Sequence, residues 1–103
     1  MLSDQQISRL LDVGLAAVHK GLTEQAQTVF EGVLADRPGN VAALIGKAYS
    51  LMTVDQFEQA EAILRNDVLA AHPDDADGLA YLGLCLQLSG RTDEARDVLQ
   101  RVP

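Results

Sequence analysis

The chain has 103 residues, 48% of them hydrophobic, and a formal charge of -7 from 15 acidic and 8 basic side chains. That apolar content supports one packed domain and excludes a disordered chain. The acidic balance excludes the basic footprint that nucleic acid or an anionic membrane surface requires, and no apolar run reaches the ~18 residues of a membrane span.

Ser3 can cap a first helix, with Gln6 three residues on as its capping-box partner. Apolar and small residues then recur with helical period at Ile7, Leu10, Leu11, Gly14, Leu15, Ala17 and Val18. Gly21 ends the run, and Thr23 can cap a second helix carrying Ala26, Val29, Phe30, Val33 and Leu34. Arg37-Pro38-Gly39-Asn40 is a turn, because Pro38 disfavours helix before it and Gly39 bends freely. A third helix spans about Val41–Met52 and a fourth about Gln56–Ala71. His72-Pro73-Asp74-Asp75 forms the second turn, with Asp74 or Asp75 as a cap. A fifth helix spans about Ala76–Leu88 and exits through Ser89-Gly90-Arg91; Thr92 can cap a sixth over about Asp93–Val102. No segment alternates with period two over a strand length, so the chain reads as a single all-α domain over 1–103.

These elements keep a clock. Ala26, Ala60 and Ala95 are spaced by 34 and then 35 residues, as are Leu10, Leu44 and Leu79, and Phe30, Leu64 and Leu99. Gly14, Ala48 and Gly83 repeat a small residue at the same interval and face Ala26, Ala60 and Ala95 across each hairpin, so that paired helices approach closely. Pro38 and Pro73 close two of the units. The extra residue falls between Leu64 and Pro73, near Asn66-Asp67, where a local irregularity in the fourth helix is expected.

Helix-turn-helix units of about 34 residues resemble tetratricopeptide repeats. Leu10-x-x-Val13-Gly14-x-x-Ala17 with Ala26-x-x-x-Phe30 and Pro38 is similar to one such repeat, and Leu79-x-x-Leu82-Gly83-x-x-Leu86 with Ala95-x-x-x-Leu99 to another. The middle unit departs from the pattern at Lys47, where the family prefers an apolar residue, and rejoins it at Ala60 and Leu64. The resemblance covers residues 7 to 103. It implies three tandem units, about 7–40, 41–75 and 76–103, in a short right-handed solenoid whose first helices line a concave groove. Among small proteins of this kind, the chain also resembles the export chaperones of bacterial type III secretion systems, in length, acidity and apolar groove. That second resemblance implies a cytoplasmic protein that sequesters a needle subunit or early export substrate.

The first helices carry two apolar stripes, whereas the second helices carry one. Leu10, Gly14 and Ala17 form one stripe; Leu11, Leu15 and Val18 form another, rotated by about 100°. The second unit repeats the second stripe as Ile45, Tyr49 and Met52; the third carries Ala80 and Leu84, with Gln87 interrupting and Leu88 beside it. These nine residues are the expected lining of the groove, which suits an amphipathic helix or an extended apolar segment. The groove lacks the Lys, Arg and Asn cluster with which some such repeats grip a peptide carboxylate. The end of the last unit is expected to expose an apolar face that a co-chaperone or a second copy could cover.

Catalytic and metal chemistry find no support. His19 and His72 lie in different units without a Cys or carboxylate at ligand spacing, and His19 suits the C-terminal end of a helix dipole. Asp74, Asp75 and Asp77 lack the glycine and glutamate spacing of a calcium loop, and capping explains them better. Cys85, the one cysteine, has no base beside it and no disulfide partner, so an inert core thiol in a reducing compartment is expected. No enzyme activity and no cofactor are expected. Two functions fit: a chaperone masking an aggregation-prone client segment, or an adaptor docking two folded proteins.

Overall fold

The computed structural model describes all 103 residues. Six helices form three hairpins: α1 (Asp4–His19), α2 (Thr23–Asp36), α3 (Val41–Met52), α4 (Phe57–Ala62, continued by a π-helical stretch Ile63–Leu69), α5 (Ala76–Leu88) and α6 (Thr92–Leu99). They stack into a short solenoid of 41 × 27 × 18 Å. Within each hairpin the two helices pack together, and α1, α3 and α5 also touch in sequence along one side.

Every hairpin turns the same way. The N–H groups of Leu22, Gln56 and Arg91 bond back to the carbonyls of Ala17, Leu51 and Leu86 at 2.9, 3.0 and 2.8 Å. One residue earlier, Gly21, Asp55 and Gly90 bond to Val18, Met52 and Gln87 and take φ of 76°, 62° and 86°. This is the Schellman ending, which needs a left-handed residue just beyond the helix. Two of the three positions are glycine, and Asp55 is the exception.

The caps divide. Ser3 and Gln6 form the expected capping box on α1. Asn40 and Asp75 cap α3 and α5 by accepting from the N–H groups of Ala43 and Gly78 at 2.9 and 2.7 Å. Thr23 and Thr92 do not cap. The cap positions of α2 and α6 are Leu22 and Arg91, with no side-chain bond, because the preceding Schellman turn already fixes the chain's entry. The sixth helix also ends earlier than expected, at Leu99.

The irregularity expected near Asn66-Asp67 is the π-helical stretch Ile63–Leu69, in which Ala70 N–H reaches back five residues to Arg65. A π-bulge absorbs one inserted residue without unwinding the helix. Within the stretch, Val68 is fully buried at the position Val33 takes one unit earlier, 35 residues before.

The core runs the length of the stack. Ala26, Phe30 and Val33 fill the first unit, and Ala60, Leu64, Val68, Leu79, Leu82 and Leu86 fill the next two. Gly14 owes its smallness to Phe30 rather than to Ala26: a Cβ there would lie 2.7 Å from the Phe30 ring. Gly46 meets the same ring at 2.5 Å, and Gly83 meets Leu99 in equally close contact. Phe30 is thus clamped between two glycines from α1 and α3. Lys47, the departure from the family pattern, keeps its amine at the surface 3.7 Å from Glu31. The N-terminus is tied to the end of α2 by the Arg37–Asp4 ion pair at 2.6 Å and by Leu2 N–H donating to Asp36 at 3.3 Å.

Candidate protein-binding groove

Helices α1, α3 and α5 carry their surplus apolar residues to one side, because each repeats the same register along the stack. Leu11, Ile45 and Ala80 form one row across the three helices, and Leu15, Tyr49 and Leu84 the next, each at intervals of 34 and 35. Leu11, Leu15, Ile45, Tyr49 and Tyr81 surround a hollow of about 200 Å³, with Ala42, Gly46 and the Phe30 ring beneath and Asp12 and Asp77 among its lining. Tyr49, Ala80, Tyr81 and Leu84 line a second hollow of about 210 Å³ beside it. Tyr49 and Tyr81 separate the two, their rings 5.3 Å apart and tilted at 56°. His19, at the end of α1, meets the other side of Tyr49 edge-on at 6.1 Å.

Leu11, Leu15, Ile45, Tyr49, Ala80 and Leu84 therefore share one surface. Leu15 and Leu84 are 40% and 39% exposed, while Ile45 shows little more than an edge. Leu88 lies beyond it at the last turn of α5 and is exposed. Val18 and Met52 are corrections: both are buried in the core, at 5% and 3% exposure. Each belongs to a core cluster with residues of its hairpin partner, Val18 with Ala26 and Phe30 and Met52 with Ala60 and Leu64, so the second helix of the hairpin covers the last turn of the first.

Tyr81 escaped the sequence reading. It shares its place in the repeat with Asp12 and Gly46, spaced by 34 and 35, and that position has no common chemistry to flag. The signal was an aromatic side chain where the other units carry an acid and a glycine. Burial pushes the Tyr81 phenol above its ordinary pKa, and the neighbouring Tyr49 and Asp77 add to that.

Elsewhere the chemistry is quiet. Cys85 is buried, its thiol directed at the Phe57 carbonyl at 3.5 Å, and burial raises its pKa. No group of three or more His, Cys, Asp or Glu side chains is placed to hold a metal ion. No helix is long and apolar enough to cross a membrane. The terminal face beyond α5 and α6 is mixed rather than apolar: Leu99 is 40% exposed, but the hollow beside it is lined by Gln87, Thr92, Arg96 and Gln100 as well as Ala95.

Two tetratricopeptide repeat models match the chain, over residues 17–66 and 45–103. The chain belongs to the tetratricopeptide repeat family, whose units serve as protein-interaction modules. Among solved structures it is similar to the MamA RS-1 ArsTM double mutant, with a TM-score of 0.72 and 28% identity over 97% of this chain and 56% of that one. It is also similar to a single-site mutant of MamA, with a TM-score of 0.66 and 28% identity over 93% of this chain and 55% of that one. The chain thus spans little more than half the length of those relatives. No curated protein sequence matches it.

Proposed function

We propose that the concave face binds an amphipathic or extended apolar segment of a client protein, and that the chain acts as a chaperone masking that segment. The observation that carries this reading is the surface formed by Leu11, Leu15, Tyr49, Tyr81, Ala80 and Leu84. It crosses all three units and lies outside the buried core that holds the stack. Leu15 and Leu84 are exposed and the other four half-buried, and an apolar row left on one side of several helices commonly marks an interaction site. The client class that the sequence resemblance implies is a type III secretion subunit or early substrate; the MamA neighbours support the repeat fold.

The test pairs Leu15→Asp with Tyr49→Ala. The double variant is expected to lose partner capture from the native host while its far-UV circular dichroism stays unchanged. A collapse of helicity would instead assign the two side chains to the core. A captured partner that aggregates when expressed alone and stays soluble with this chain supports the chaperone. A partner that is stable alone supports the adaptor.

A further inference from the structure

The larger hollow on the concave face has an unusual combination of walls. Its floor is apolar and includes Gly46, which stands where Asp12 and Tyr81 stand in the adjoining units. The Phe30 ring fills the place where a Cβ of residue 46 would stand, so a side chain there would strike that ring. Around this floor stand Tyr49 and Tyr81 and two carboxylates, Asp12 from α1 and Asp77 from the first turn of α5. No basic side chain lines the hollow.

The two carboxylates are uncommitted. The ion pairs within the chain engage Asp4, Asp36, Glu31, Glu61, Glu94 and Asp93, and neither Asp12 nor Asp77 has a basic partner. Neither accepts a hydrogen bond from another side chain. The volume of about 200 Å³ is several times a water's ~30 Å³ share of the liquid. It therefore admits a long side chain.

We propose that this hollow selects a Lys or Arg side chain of the client segment, next to an apolar residue seated in the adjoining hollow of Tyr49, Ala80, Tyr81 and Leu84. Lysine and arginine have long aliphatic stems that pack on apolar surface while the charged head stays wet. The stem lies over Gly46, Leu11 and Ile45, and the head sits between Asp12 and Asp77. The tyrosine faces add a cation–π attraction, which is strongest for a partly desolvated cation. A neutral polar or acidic residue at this point would leave both carboxylates unpaired or repelled. The groove then reads a basic–apolar pair rather than apolar character alone.

This inference rests on the concave face being the binding surface, and the test separates the two. Random 12-residue peptides displayed on phage are panned against the whole chain, and recovered sequences are retested against Leu15→Asp/Tyr49→Ala and Asp12→Asn/Asp77→Asn variants. The expected outcome is enrichment of Lys or Arg adjacent to Leu, Ile or Phe. For a synthetic peptide of that sequence, Asp12→Asn/Asp77→Asn should weaken binding about fivefold or more at low salt, and less at high salt. Its norleucine counterpart should bind both proteins alike. Groove-dependent peptides with no basic enrichment would overturn the selectivity and leave the groove standing. Peptides indifferent to the Leu15→Asp/Tyr49→Ala change would overturn both. Because both aspartates are exposed and unpaired, their amides should leave the melting temperature within about 4 °C of the parent, as exposed substitutions away from special features do.

Discussion

Glycines in this chain do opposite things according to what lies beside them. Gly46 and Gly14 are held small by the Phe30 ring, whereas Gly32, in the middle of α2, has nothing within 4 Å of where a Cβ would stand. Gly32→Ala should raise stability by roughly 0.5–1 kcal/mol, the usual gain from helix propensity and a less flexible unfolded chain. Gly46→Ala should lower it by about 1–3 kcal/mol, because overpacking against an aromatic ring outweighs the same gain. Thermal melts followed at 222 nm distinguish the two; equal shifts would contradict the clamp on Phe30. Asp55 offers a third case. It is the non-glycine residue among three equivalent left-handed positions, and aspartate tolerates that region at a cost glycine avoids. Asp55→Gly should raise the melting temperature by about 2–4 °C, corresponding to ~0.5 kcal/mol. An unchanged or lower melting temperature would mean that the aspartate has a compensating bond in solution.

Among the elements, the fourth helix is the one that breaks the common pattern. The π-helical stretch Ile63–Leu69 carries the extra residue that makes the second interval 35 rather than 34. Deleting the exposed Asn66 should let the stretch close into ordinary α-helix and keep Leu64 and Val68 facing the core, with stability changed by no more than about 1 kcal/mol. Deleting Gly32 from α2, where no bulge can absorb the loss, rotates Val33 and Leu34 by about 100° and should cost several kcal/mol. Chemical denaturation of the two deletions makes the comparison. The fourth helix also joins the sixth through charge. Arg91 contacts Glu61 and Glu94 at 2.6 Å each, and Arg65 contacts Glu61 at 2.8 Å. Burial alone would raise the Glu61 pKa, but hydrogen bonds from Arg65 and Arg91 outweigh it and hold the carboxyl low. Glu94 is held low by its bond to Arg91. Both carboxyls therefore bind protons more weakly folded than unfolded, where the ordinary value is 4.5. Their stabilisation is complete above that pH and is lost as the pH falls through the folded values. Melting temperatures should thus be flat from pH 7 to about 5 and drop below 4.5, and Arg91→Ala should flatten part of that drop.

Across the whole molecule, stability is unevenly spread. The large buried leucines, Leu64, Leu79, Leu82 and Leu86, lie in the second and third units, whereas the first is held by Phe30, Val33 and small residues. A repeat protein's stability is close to a sum of unit and interface terms. Residues 41–103 alone should retain a cooperative melt, while residues 1–40 alone should be largely unfolded at 25 °C, being too short to bury a sufficient core. Circular dichroism of the two fragments tests this; a folded 1–40 fragment would show the first hairpin to be self-sufficient. The same asymmetry shapes the binding face, whose apolar rows run from α1 to α5 and whose hollows lie over the junctions between units.

The sequence by itself determined the repeat, because a period of 34 or 35 in Leu10, Ala26 and Phe30 and their equivalents admits one kind of stacking. It also located the inserted residue, since the interval changes between Leu64 and Pro73. The limits of α3 and α5 were legible for the same reason: Pro, Gly, Asn and Asp punctuate them locally. Only the tertiary structure decided which members of the second stripe reach the groove. Val18 and Met52 obey the same spacing as Leu15 and Tyr49, yet they are buried, because each packs in a core cluster with its hairpin partner, Val18 with Ala26 and Phe30 and Met52 with Ala60 and Leu64. It also decided that Tyr81, Asp12 and Asp77 share one hollow with Gly46. Those residues come from three helices, and Phe30, from a fourth, lines the same hollow and holds residue 46 to glycine.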